Sequence, residues 1–198
     1  MMKKVLIATK NKGKVKEIKK LLSDMPFDVV TILEEDVDID IVEDGKTFEE
    51  NALIKAKAVK NHTSAIVVAD DSGLEVDYLD GAPGIYSARF AGEGSSDEQN
   101  YLKLLSMLEG VEESKRTARF VCTIAVVLPD NSHFIVRGEC EGRIGFKPKG
   151  DNGFGYDPLF YIPQFDASMA QLDMSVKNSI SHRAKALEKM VNKLRQLL

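Results

Sequence analysis

The sequence predicts an α/β fold built around a mixed sheet, either as one compact domain or as two lobes sharing that sheet. Three observations predict it. An apolar run, Lys4 to Thr9, passes through a polar loop into a helix with Val15, Ile18, Leu21 and Leu22 on one face, the opening unit of an α/β fold. Further on, Thr117–Leu128 and Ser132–Glu141 flank Pro129, Asp130 and Asn131, which reads as a long antiparallel hairpin and makes the sheet mixed. Finally, 198 residues with 43% hydrophobic content are enough for a full core without staples. We take residues 1–198 as a single functional domain with no internal repeat.

Phe27–Ile32 and Val37–Val42 read as short strands. The second alternates Val37, Asp38, Ile39, Asp40, Ile41, so its acids share one face, either solvated on an edge strand or available to a metal. Thr47 and Glu50 have the spacing of a capping box, and the helix that follows sets Phe48, Ala52, Ala56 and Val59 on one stripe. Asn51 and Lys55, one turn apart, project side by side next to that stripe. Ala65 to Ala69 is a buried strand expected to end in a turn at Asp70, Asp71, Ser72 and Gly73, with Leu74–Tyr78 resuming the sheet. A loop, Gly81–Gly94, leads to a helix capped by Ser96 and Gln99 that carries Tyr101, Leu104, Leu105 and Leu108. The Gly- and Pro-rich stretch Gly142–Pro158 precedes a last helix that starts near Ser181 and buries Ala184, Leu187, Val191 and Leu194.

Composition excludes several classes. A formal charge of -4 leaves no electrostatic footprint for a nucleic-acid duplex. No segment approaches the roughly 20 apolar residues of a membrane span, and the early apolar run Val5–Ala8 is too short for a leader. The expectation is a cytoplasmic protein; Cys122 and Cys140, lacking metal-ligand spacing, read as buried thiols in that compartment, with a cross-strand disulfide on the hairpin as the other reading.

The chemistry concentrates in a few places. Asp70 and Asp71 set two carboxylates where the buried strand is expected to end; burying such a pair calls for a cation, unless the acids merely cap a solvated turn. The loop Thr9, Lys10, Asn11, Lys12, Gly13, Lys14 enters a helix N-terminus, where free amides and the dipole favour an anion, although it lacks the Walker spacing and its lysines also suit an exposed turn. Glu43, just before the capped helix, joins Asp70 and Asp71 as an oxygen ligand for Mg²⁺, a cation that needs few carboxylates when substrate phosphates complete its shell. Phe154, set between Gly153 and Gly155 and followed by Tyr156 and Asp157, is either a ring for stacking on a flat ligand or an aromatic plug over the core. Lys177, His182 and Arg183 supply donors near the last helix, for base carbonyls or for capping.

Six blocks in order carry a resemblance over nearly the whole length: Ala8–Lys14, Thr47–Ala52, Ala69–Leu74, Gly81–Arg89, Gly153–Pro158 and Ser181–Arg183. On these the chain resembles the inosine/xanthosine triphosphate pyrophosphatase family, with Lys10 where many members have glycine. The resemblance implies an elongated mixed sheet with flanking helices, two lobes with the active-site cleft between them, and a homodimer. It implies Mg²⁺-dependent hydrolysis of ITP, dITP and XTP to the nucleoside monophosphate and pyrophosphate, keeping deaminated purines out of DNA and RNA. By position, Thr9–Lys14 would hold the triphosphate with help from Lys55, Glu43, Asp70 and Asp71 would serve the metal, and Asp71 would be the base. Ser72, Phe154, Gly155, Tyr156, Asp157, Lys177, His182 and Arg183 would complete the substrate pocket. Two other readings stay open on the residues: a Mg²⁺-dependent phosphatase of monophosphates, and a nucleotide-binding module without turnover.

Overall fold

The computed structural model describes residues 3–35, 37 and 39–197, with the Leu21 side chain left out. Seven strands form one mixed sheet in the order β2-β1-β3-β4-β5-β6-β7: β1 Lys3–Ile7, β2 Phe27–Thr31, β3 Ile66–Val76, β4 Thr117–Val127, β5 His133–Ile144, β6 Phe160–Ile162 and β7 Ala167–Ser168. β1 runs parallel to both β2 and β3, and β5–β6 and β6–β7 are antiparallel. β4 and β5 are neighbours joined by a five-residue connection in which Leu128 N donates to Ser132 O and Asn131 takes a φ of 66°. The α/β fold with a mixed sheet and flanking helices is as the sequence predicts.

The helices are α1 Lys12–Leu22, α2 Phe48–Lys60, α3 Asp97–Met107, α4 Met174–Ile180 and α5 His182–Leu197. Each start has a local cause. The Asn11 side chain accepts from Lys14 N and Thr47 from Glu50 N. Ser96 and Gln99 complete the expected capping box. At α2 the return bond goes one residue further out, Lys46 N donating to Glu50 Oε2. Among the described residues no helix is long and apolar enough to cross a membrane.

Contacts divide the chain into two compact units. One runs to Asp71 and adds Cys122–Gly138 and the segment from Arg183 on; the other comprises Ser72–Val121 and Glu139–His182. Strand alternation builds the core of the first. Val5, Ile7, Ile66, Val68, Ile124 and Val126 pack with Ile18 and Leu22 of α1 and with Ala186, Leu187, Met190 and Leu194 of α5. The intervening positions, Leu6, Ala8, Val67, Ala69, Ala125 and Val127, pack with Ala52, Ala56 and Val59 of α2. In the second unit Leu74, Val76, Leu104, Leu108, Phe120, Phe160 and Met169 belong to a single cluster. At its margin the buried Arg116 donates to the carbonyls of Leu108, Ile144 and Gly145.

Three expectations are corrected. Asp70-Asp71-Ser72-Gly73 is no turn: β3 continues through it for 11 residues. Of the strand expected at 37–42, the described residues join no strand ladder; Val37 N donates to Ile32 O, and Val37, Ile39 and Ile41 pack on the core, so apolar alternation here marks a packed segment and not a strand. Asp38 lies outside the described residues. In α5 the buried stripe is Arg183, Ala186, Leu187, Met190 and Leu194, with Ala184 and Val191 at its edge. Cys122 and Cys140 are buried and neither forms a disulfide.

Candidate active site

Because β3 continues through the acid pair, Asp70 and Asp71 leave opposite faces of the sheet. Asp70 joins the face of Ile66 and Val68, under α1 and α5; Asp71 joins the face of Val67 and Ala69, under α2. This fixes their partners.

On the first face Lys14 Nζ lies 2.9 Å and Arg183 Nε 3.7 Å from Asp70 Oδ2, and Arg183 also pairs with Glu17. Asp70 is 2% exposed, and burial works against its charge. The fields of Lys14, then Arg183, then Lys55 outweigh burial and hold the carboxyl well below the usual carboxylate range. Cys122 sits in the same field, and burial, helped by the Asp70 charge, pushes its thiol to about 12. It is inert as a nucleophile at neutral pH.

On the second face Lys55 Nζ donates to Asp71 Oδ1 at 2.9 Å and to Glu43 Oε2 at 2.8 Å. α2 carries Lys55, and one turn earlier the buried Asn51 accepts from Gly45 N at 2.9 Å. A Cβ on Gly45 would stand 2.6 Å from Asn51 Oδ1, so only glycine lets the Glu43–Gly45 segment lie this close to the helix. Burial raises the Asp71 carboxyl; Lys55 opposes it, Glu43 adds to it, and the balance stays above the ordinary carboxylate value. For Lys55 burial works against the charge, but Asp71 and Asp70 outweigh it and the ammonium is held.

Asp71 Oδ2 is buried and accepts no hydrogen bond among the described residues. Such an atom costs stability unless a ligand or cation meets it. Glu43 keeps its side chain 35% exposed beside it on the shared ammonium. Among the described residues no three acid, His or Cys side chains converge as a metal cage. A buried carboxylate oxygen without a hydrogen bond beside the partly exposed Glu43 is a donor set that suits a cation such as Mg²⁺, which keeps several waters and takes its other ligands from phosphates. Of the ligand set Glu43, Asp70 and Asp71 expected from the sequence, Asp70 lies on the other face of β3, beside Lys14 and Arg183.

Thr9–Lys14 leaves β1 and enters α1, with Asn11 N donating to Thr9 Oγ1. Lys10, Asn11 and Lys12 are exposed, and Gly13 and Lys14 half-buried, Lys14 reaching inward to Asp70. The loop offers a helix N-terminus with two lysines at the surface.

In the second unit the ring segment is held more firmly than its glycines suggest. Gly153 and Gly155 take φ of 85° and 62° on either side of Phe154. Asp157 Oδ2 accepts from Phe154 N at 3.0 Å and from Lys177 Nζ at 2.7 Å, and a Cβ at Gly153 would fall 2.0 Å from that oxygen. Lys177 Nζ is 4.9 Å from the Phe154 ring centroid, and the ring is 40% exposed. Tyr156 is buried and its hydroxyl donates to Ser87 O, within the Gly81–Arg89 block whose Ala82–Pro83 bond is cis. Ser72 is half-buried on β3. His182 stacks on Phe120 at 5.0 Å with 21° between planes, as part of the packing.

Arg183 was read from sequence as a base-edge donor; the structure engages its guanidinium with Glu17 and Asp70 instead. Glu17 was not singled out, although it stands one turn from Lys14 on α1, the spacing that aligns two side chains. Asp97, whose Oδ2 accepts from Gly155 N at 2.7 Å, was also missed because it reads as an ordinary first-turn acid.

A sequence model of the Ham1 family matches residues 5–193. A dITP/XTP pyrophosphatase of Desulforamulus reducens is 53% identical over 98% of this chain and 96% of its own length, and that of Bacillus subtilis is 49% identical over 96% of each. Among solved structures, the Staphylococcus aureus Ham1 protein superposes with a TM-score of 0.90 at 44% identity, covering 99% of this chain and 100% of that one. A HAM1 protein from Coxiella burnetii does so with 0.91 at 40%, covering 98% and 100%.

Proposed function

The chain belongs to the Ham1 family, and from that premise we propose that it hydrolyses the deaminated purine nucleotides ITP, dITP and XTP to the monophosphate and pyrophosphate. The observation that carries the reading is Asp71: a buried carboxylate with one oxygen on Lys55, the other without a hydrogen bond among the described residues, and a raised proton affinity. A general base works best when its pKa moves toward the working pH, and a raised carboxyl meets that need.

Asp71 Oδ2 takes the proton of a water that attacks the α phosphorus in line, and Lys55 fixes the carboxylate by its other oxygen. Glu43 and Asp71 would hold Mg²⁺, which when bound neutralises charge on the polyphosphate. The exposed amides and lysines of Thr9–Lys14 receive the pyrophosphate leaving group. Asp70 keeps Lys14 and Arg183 in place without touching the reacting atoms.

Base choice follows from donors near the Phe154 ring. Lys177 sets an ammonium donor beside the ring, which suits the carbonyl at purine position 6 and leaves an amino group facing a donor. We further propose a homodimer in the cytoplasm, on the family likeness.

The test is pyrophosphate release from ITP, dITP, XTP, GTP and ATP, with and without Mg²⁺. Fast Mg²⁺-dependent turnover of the first three supports the reading. Orthophosphate from monophosphates would establish the phosphatase, tight binding without turnover would establish the nucleotide module, and equal hydrolysis of ATP would overturn the account of base choice.

A further inference from the structure

Phe154 sits at the tip of a loop, residues 148–158, whose peptide is suspended between two carboxylates. Asp157 Oδ2 accepts from Phe154 N at 3.0 Å, and Asp97 Oδ2 accepts from the next amide, Gly155 N, at 2.7 Å. Asp157 belongs to the loop itself; Asp97 opens α3, 58 positions away. The base of the loop is held by backbone bonds, Lys149 N to Pro158 O and Asn152 N to Ala170 O. At the tip Asp157 N donates back to Phe154 O at 3.3 Å, a bond internal to the loop that does not reach α3. Between the tip and the start of α3 lies a cavity of about 450 Å³ bounded by Asp97, Tyr101, Asn152, Phe154 and Pro158. Across that gap the short bond from Gly155 N to the Asp97 carboxylate ties the tip to the helix. Gly153 and Gly155 flank the ring with φ of 85° and 62°, so the placement of Phe154 depends on the bonds that hold this backbone.

We propose that Asp97 is a positioning residue that sets the angle of the Phe154 ring, and through it the grip on the purine. The inference rests on the stacking role given to Phe154 above and deepens it. Ser96 and Gln99 cap α3 without Asp97, so the helix start survives its removal.

The experiment measures steady-state pyrophosphate release from dITP by the whole protein and its Asp97→Ala, Asp97→Asn, Phe154→Ala and Asp97→Ala/Phe154→Ala variants, with melting temperatures beside them. A lost bond to a charged acceptor corresponds to a KM for dITP raised roughly 10-fold in Asp97→Ala, with kcat within about twofold. Asp97→Asn, whose amide oxygen still accepts from Gly155 N, recovers most of the loss. In the Phe154→Ala background Asp97→Ala adds nothing, because the residue acts through the ring. An unchanged KM in Asp97→Ala overturns the proposal. So do full additivity with Phe154→Ala, or a parallel fall of kcat and melting temperature without rescue by Asn. A wild-type protein that releases no pyrophosphate from dITP overturns the functional reading itself, whereas an active wild type indifferent to Asp97 overturns only the role of that residue.

Discussion

Replacing each of two adjacent aspartates by asparagine separates stability from chemistry in this fold. Asp70 is 2% exposed and meets Lys14 and Arg183, so Asp70→Asn leaves two cations short of a counter-charge. Removing one partner of a buried pair costs about 3–5 kcal/mol. Two features pull the value to the lower end: Lys14 is 16% exposed and can turn outward, and Arg183 keeps Glu17. About 3 kcal/mol in a chain of this size lowers Tm by roughly 6–12 °C. Asp71→Asn differs in kind. The cation it pairs with, Lys55, retains Glu43, and the carboxyl is raised, so its ionised form is disfavoured in the folded state. The expected change is under about 1 kcal/mol, within roughly 4 °C of the wild-type Tm, with most turnover lost. Differential scanning fluorimetry at pH 7, and pyrophosphate release measured 20 °C or so below the lower Tm, read the two effects apart. Equal destabilisation by both variants, or an Asp70→Asn protein that melts like wild type, would refute the assignment of the two carboxylates to opposite faces.

The Asp71 shift also fixes a pH dependence. Because its carboxyl is raised, the acid limb of kcat/KM lies above the ordinary carboxylate value, and activity falls as pH drops through it; Lys55→Ala removes the main opposing charge and moves that limb further up, alongside a turnover loss of about 100-fold. A limb that stays put in Lys55→Ala would show that another group titrates. For stability the sign is opposite at the two aspartates: the lowered Asp70 contributes above its unfolded pKa and loses that contribution as pH falls, whereas the raised Asp71 favours the fold on the acid side. Gly153→Ala tests the ring segment, since a φ of 85° and a Cβ 2.0 Å from Asp157 Oδ2 force that carboxylate off Lys177 and Phe154 N. We expect a loss of about 1–3 kcal/mol in urea unfolding and a raised KM for dITP, and a wild-type KM would count against the segment's part in binding.

Much of this is local, and so is visible along the chain. Helix starts at Asn11, Thr47 and Ser96 follow from side chains that reach amides three residues on, an interaction confined to one turn. The first βα unit, the hairpin around Asn131 and the pairing of Asn51 with Lys55 on one side of α2 depend on periods of two and 3.6 residues, which the sequence displays directly. Of the six blocks that mark the family, Ala8–Lys14 and Thr47–Ala52 lie on these elements.

What the sequence by itself determined was the α/β class, the main helices and hairpin, and the residue types gathered for a nucleotide. Tertiary structure decided which of them share a face. Asp70 and Asp71 look like one site when written side by side, and a turn would have made them one. A continuous β3 turns consecutive side chains through the sheet in opposite directions, assigning Asp71 to Lys55 and Glu43 and Asp70 to Lys14 and Arg183. Arg183 and Glu17, or Asp97 and Gly155, stand far apart in the chain, and no local period links such pairs. Their partnership comes from packing, which brings distant charges together and makes an unpaired one too costly to bury.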